Sequence, residues 1–254
     1  MEAGIMRRLL VAANWKMNGD MSSNAALLAA FKAGFNGSAD TAIFPPAVYI
    51  PQLADSLKGS AIAYGVQNIH FEEKGAFTGE TNLAMAQDFG CQYILVGHSE
   101  RRELFGETNA IVAKKVVAVL AAGLIPMLCI GETLEQREAG VTEQICKEQI
   151  DAVLTQVGIK AFEKIVIAYE PVWAIGTGKT ASPEQAQDVH SFIRQLLAAE
   201  DAAVAAKTRI LYGGSVKASS AQALFGQPDI DGGLVGGASL MAEEFVAICN
   251  AAQG

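Results

Sequence analysis

Histidine and cysteine are scarce: only three and four occur in the 254 residues. Cys91, Cys129, Cys146 and Cys249 form no C-x-x-C pair and each lies in apolar text. They read as reduced thiols of a cytosolic protein rather than a disulfide framework. His70, His98 and His190 lack ligand spacing, so no metal site is expected. Charge is sparse too, at 18% of residues, and 27 acidic against 19 basic side chains give a net −8. No Lys/Arg-rich run offsets that deficit, which argues against nucleic acid as a partner. It does not exclude a small anionic substrate, because a local pocket can be positive on a negative protein. Long hydrophobic runs are missing as well. The longest uncharged stretch, Val116 to Gly131, contains Gly123 and Pro126 and falls short of the ~20 residues a membrane helix needs. A secretory signal is not expected either, since Arg7-Arg8 precede only Leu9 to Ala13 before Asn14-Trp15-Lys16 intervenes. No dinucleotide or P-loop motif occurs, so no cofactor is implied.

What is present is a regular alternation. Continuous apolar runs at Leu9–Ala13, Thr41–Phe44, Ile62–Val66, Tyr93–Val96, Ile125–Ile130, Ile165–Tyr169, Arg209–Tyr212 and Gly233–Val235 predict strands covered on both faces. Helical text lies between them. Cys146, Ile150, Val153 and Val157 share one helix face that ends at Gly158. Ser182-Pro183-Glu184-Gln185 predicts an N-cap with a capping-box partner, followed by the stripe Val189, Ile193, Leu196 and Leu197; Thr133 to Gln136 carries the same signature. Eight such units in a chain of this length, without a linker, predict one α/β domain over residues 1–254. Its expected form is a closed (β/α)8 barrel of eight parallel strands ringed by helices, the TIM barrel. An open doubly wound sheet would want a glycine-rich turn after the first strand, where Asn14-Trp15-Lys16-Met17 stands instead.

A barrel carries its chemistry at the C-terminal ends of its strands. Asn14 and Lys16 follow the first, His98 to Arg102 the fourth, Glu170 the sixth, Gly213-Gly214-Ser215 the seventh and Gly236-Gly237 the eighth. Taken singly, each reads as structural: a solvated lysine, a hydrogen-bonded histidine, a capping glutamate. Together they bring a cation, an imidazole and a carboxylate to one mouth. A carboxylate emerging from a buried strand should be partly desolvated, which raises its pKa and suits it to act as a base. The paired glycines after the last two strands fit a phosphate held by backbone N–H groups. The plainer reading is that glycines there make left-handed turns, the role expected for Gly65 and Gly90. Pro171 to Ala181, with Gly176 and Gly178 at its tip, is longer than most βα loops and reads as a lid with a hinge at each end.

Asn14-Trp15-Lys16-Met17-Asn18-Gly19, Val96-Gly97-His98-Ser99-Glu100-Arg101-Arg102 and Tyr169-Glu170-Pro171-Val172-Trp173-Ala174-Ile175-Gly176-Thr177-Gly178 closely resemble the triosephosphate isomerase family. So do Tyr212-Gly213-Gly214-Ser215-Val216 and Gly233 to Leu240, and the match runs in order along essentially the whole chain. The resemblance implies an aldose–ketose isomerase of glycolysis and gluconeogenesis that interconverts dihydroxyacetone phosphate and D-glyceraldehyde 3-phosphate through an enediolate. It implies Glu170 as the base and His98 as the neutral electrophile, an assignment long established for that family. Lys16 would supply positive charge, Asn14 would hold substrate, and Glu100 would orient Lys16. Backbone N–H groups of Gly176, Ser215, Gly236 and Gly237 would receive the phosphate. Ile175 and Leu234 would clamp the closed lid, whose motion is a standard example in this family. The family is usually dimeric, which implies a homodimer in the cytoplasm, with Thr78 in the Phe71–Glu80 loop entering the partner. Asn82 stands where the family commonly has Ser, and either can cap a helix. Two other readings compete with this one. A Schiff-base aldolase would need a lysine inside the barrel, and a non-enzymatic descendant would have lost Lys16, His98 or Glu170.

Overall fold

In the computed structural model, residues 7–175 and 181–252 are described. Eight strands run in chain order: β1 Leu10–Asn14, β2 Asp40–Phe44, β3 Ala63–Val66, β4 Tyr93–Val96, β5 Ile125–Ile130, β6 Val166–Tyr169, β7 Ile210–Tyr212 and β8 Gly232–Val235. Each pairs in parallel with the next, and β8 pairs with β1 through Leu10↔Gly232 to Ala13↔Val235, which closes the barrel. Helices lie outside. The expected strands differ from these by a residue at several ends. The useful shift is at β1, which extends to Asn14, so the first candidate site residue is itself the last residue of a strand.

Alternation along the strands divides the apolar residues into two populations. Leu10, Ala12, Ala42, Phe44, Leu95, Met127, Cys129, Ala168, Leu211 and Leu234 fill the barrel interior. Val11, Ala13, Ile43, Ile94, Val96, Leu128, Ile130, Ile167, Tyr169, Ile210 and Tyr212 face outward and pack under the helices. Apolar contact on both faces is the reason the strands read as continuous hydrophobic text.

The helix punctuation follows the sequence. Ser182 accepts from Gln185 N and Gln185 returns the bond, with Pro183 in the first turn; Thr133 and Gln136 do the same. Gly158 takes φ +72° and closes the Thr142–Val157 helix on Leu154 O. Asn82 accepts from Met85 N as a cap. The buried stripe of the Pro183–Glu200 helix is Ala186, Val189, His190, Ile193 and Leu197, with Leu196 only partly covered at its margin. Gly65 corrects its expectation. It lies inside β3, where a Cβ would fall 1.9 Å from the Tyr93 carbonyl oxygen, so it permits close strand approach rather than a left-handed turn. Gly90, at φ +74°, does make such a turn. Among the described residues, no helix is long and apolar enough to cross a membrane.

Candidate active site

Two strand ends set the centre. Glu170 directly follows β6 and is buried; its N–H continues the ladder to Ile130 O at 2.7 Å. His98 caps the Ser99–Leu104 helix after β4, and its Nδ1 accepts from Glu100 N at 3.2 Å. An Nδ1 that accepts leaves the ring proton of the neutral imidazole on Nε2. That nitrogen lies 2.8 Å from Glu170 Oε1, and Ser99 N donates to Glu170 Oε2 at 3.1 Å. One carboxylate therefore receives both an imidazole N–H and a backbone N–H. Burial lowers the pKa of His98, the neighbouring Glu170 and Glu100 carboxylates raise it, and Lys16 opposes them. The balance in this resting arrangement lies above the ordinary histidine value.

Lys16 is the one non-glycine among the described residues with positive φ, at +52°. That backbone conformation is costly for a side-chain-bearing residue, and its neighbours hold it there. Asn14 Oδ1 accepts from Lys16 N at 3.0 Å, and Gln67 Nε2 donates to Lys16 O at 2.8 Å and to Phe44 O at 2.9 Å. The turn aims the ammonium back over the barrel mouth, where Nζ meets Glu100 Oε1 at 2.5 Å.

The glycine clusters lie opposite. None of Gly213, Gly214, Gly236 and Gly237 takes positive φ, so the left-handed-turn reading does not apply to them. They clear space: a Cβ on Gly213 would fall 2.8 Å from Glu170 Cγ, and one on Gly214 would fall 2.3 Å from the Tyr212 phenol oxygen. Gly237 opens the short turn Gly237–Leu240 and has nothing over it. A cavity of about 630 Å³ is lined by Asn14, Lys16, His98, Glu170, Ile175, Ser215, Leu234, Gly236 and Gly237. It unites the expected site residues except Glu100, which reaches it through Lys16, Thr78 of the expected dimer loop, and Gly176, which lies outside the described residues with the rest of the expected lid through Thr180. An imidazole N–H, a carboxylate, an ammonium and glycine-rich backbone around one cavity suit proton transfer within a small anionic carbonyl compound.

The sequence matches the family described as Triosephosphate isomerase over residues 9–252. Relatives of that name are 60% identical in Thiobacillus denitrificans, over 97% of this chain and 99% of the relative, and 55% identical in Herminiimonas arsenicoxydans, over 97% and 100%. A third, from Dechloromonas aromatica, is 55% identical over 97% of this chain and 100% of its own length. This chain belongs to the triosephosphate isomerase family.

Three supporting groups escaped the sequence reading: the Ser99 amide, Gln67 and Glu132. Glu132 is fully buried after β5, where its Oε1 accepts from Tyr169 Oη and from Trp173 Nε1, each at 3.0 Å, and from Arg137 at 3.2 Å. It thereby holds the Val172–Ala174 turn where the expected lid begins, while Ser215 Oγ donates to Ala174 O at 2.8 Å. Gln67 and Glu132 sit just past strand ends, so carrying the strand-end search to β3 and β5 would have found them. Thr78 lines neither this cavity nor the neighbouring one of about 440 Å³, which is walled by Lys16, Met17, Gln67, Glu100, Arg101 and Phe105 among others. Among the described residues no cluster of three metal-ligating side chains occurs.

Proposed function

We propose that this chain interconverts dihydroxyacetone phosphate and D-glyceraldehyde 3-phosphate, using only groups of its own. The observation that carries the reading is the His98 Nε2–Glu170 Oε1 pair at 2.8 Å, with its proton assigned by the Glu100 amide, beside the Lys16 ammonium. Glu170 removes a proton from the carbon next to the carbonyl. His98 Nε2–H donates to the carbonyl oxygen, so negative charge develops against an N–H donor and beside Lys16 rather than in water. His98 then takes the proton of the adjacent hydroxyl, Glu170 returns its proton to the neighbouring carbon, and the aldose or ketose leaves. Protons balance without a redox partner or metal. While Glu170 is ionised it favours a charged imidazole. Once it has accepted the carbon proton that influence is gone, and burial and Lys16 favour the neutral ring against the Glu100 carboxylate alone.

Asn14 and Lys16 hold the substrate's oxygens, and the N–H groups of Gly176, Ser215, Gly236 and Gly237 receive its phosphate. Ile175 and Leu234, both on the cavity wall, close over Glu170 as the lid comes down. Glu100 keeps Lys16 in place through the 2.5 Å pair. The working form is a cytoplasmic homodimer. Met17 and Phe105 are exposed on the wall of the smaller cavity, Leu104 is exposed next to Phe105, and Phe77 projects from the Phe71–Glu80 loop stacked on His70 at 4.0 Å. The Phe77–Thr78 tip of one copy would fill the other's cavity beside Lys16 and Glu100. A coupled assay run from each triose phosphate tests the activity. The purified chain should convert both, and turnover of neither would overturn the reading.

A further inference from the structure

The β5–β6 hydrogen bonding continues past both strands through residues 130 and 132: Ile130 O accepts from Glu170 N at 2.7 Å, and Glu132 O accepts from Val172 N at 3.1 Å. Gly131 stands between them. A Cβ there would fall 1.8 Å from Glu170 O, so the two backbones are in direct contact and only glycine fits. Gly131's own peptide groups go to one side chain. Its N–H donates to Gln149 Oε1 at 2.8 Å, and its C=O accepts from Gln149 Nε2 at 3.1 Å. The amide of Gln149 thus acts as a one-residue strand on the open side of Gly131, satisfying two groups that would otherwise lack a partner in a half-buried place. Its own position is firmly set. Gln149 lies on the Thr142–Val157 helix between Cys146, Ile150 and Val153, all buried under the barrel wall.

We propose that Gln149 is a positioning residue for the base. By fixing Gly131 it fixes the backbone against which Glu170 rests, and through Glu132 it fixes the Val172–Trp173 turn where the lid begins. This rests on the isomerase reading above. Neither amide atom touches the cavity, so the effect must be on placement of the base and not on phosphate binding.

Gln149→Met keeps the length and loses both hydrogen bonds; Gln149→Glu keeps the acceptor for Gly131 N–H and loses the donor. In Gln149→Met we expect kcat to fall about tenfold, part of the hundredfold that an ångström of misplacement can cost. KM and inhibition by inorganic phosphate should stay within twofold. Affinity for 2-phosphoglycolate, whose planar carboxylate imitates the enediolate, should fall with kcat. Gln149→Glu should lie between wild type and Gln149→Met. A folded Gln149→Met with wild-type kcat overturns the proposal, as does an equal loss of affinity for phosphate and for 2-phosphoglycolate. If that variant does not fold, Gln149→Glu decides: unchanged kcat and 2-phosphoglycolate affinity refute the proposal. A wild-type chain without isomerase activity would instead sink the functional reading.

Discussion

Replacing Gly213 by alanine tests how tightly the base is seated. Gly213 follows β7, its N–H donates to Tyr169 O at 2.7 Å, and its φ is not positive, so alanine meets no left-handed backbone there. The cost is therefore steric. The new methyl would lie 2.8 Å from Glu170 Cγ and 3.1 Å from Tyr169 O. Carbon atoms pack at about 3.5–4.0 Å, so an overlap of about 1 Å must be relieved. Tyr169 O belongs to the barrel wall and yields little; the Glu170 side chain yields instead. Its carboxylate then leaves the 2.8 Å contact with His98 and the 3.1 Å contact with Ser99 N. A displacement of that size lowers kcat by about 10², equivalent to about 2.7 kcal/mol of barrel-imposed alignment lost from the transition state. Overpacking should also cost about 1–3 kcal/mol of stability, which leaves the chain folded at assay temperature. The coupled assay gives kcat and KM, thermal melting checks the fold, and competition by inorganic phosphate checks the other end of the cavity. A folded Gly213→Ala with kcat within threefold of wild type would mean that the base is not held by this contact.

Three further outcomes follow from other parts of the molecule. His190 is fully buried against Tyr169 and Tyr212, near Arg194 and Asp229, and burial depresses its pKa to about 4. The unfolded chain, with a histidine near 6.5, binds a proton that the folded chain refuses, so stability is full above that value and declines by about 3 kcal/mol as pH falls towards 4. His190→Gln should flatten that part of the pH profile in denaturant titrations, and an identical slope would refute the assignment. Deleting Ile175 through Thr177 should leave the barrel folded, slow isomerisation sharply and raise the share of turnovers ending in methylglyoxal and free phosphate. A variant that is slow without more elimination would show that the lid aids binding but does not guard the enediolate. Light scattering should give about 53 kDa, twice the 26.7 kDa chain, and a fully active monomer at micromolar concentration would refute the dimer.

The barrel was legible because its strands are covered on both faces and read as unbroken apolar runs, and because the caps at Ser182, Thr133 and Gly158 obey local rules that tertiary structure did not override. The convergence of Asn14, Lys16, His98 and Glu170 on one cavity was legible because each stands where a strand ends. The supporting groups were harder to see. Gln67 stands at a strand end, but the backbone atoms that it and Gln149 bind belong to residues distant in sequence, and their local text does not reveal those partners. Gly65 misled for a related reason: a glycine that lets two strands approach looks the same in sequence as one that turns left-handed. The positive φ of Lys16 is marked only in part by its local text: Asn14, two residues before it, accepts its N–H, but Gln67 comes from the loop after β3.

The kcat of Glu170→Gln tests the account most directly. Glutamine keeps the shape, and its one amide oxygen can accept from either His98 Nε2 or Ser99 N, but it cannot take a proton from carbon. The variant should fold, bind inorganic phosphate as wild type does, and lose about 10²–10⁴ or more in kcat, the range expected for a general base. Near-wild-type kcat in that variant would contradict the assignment of Glu170 and the proton path built on it.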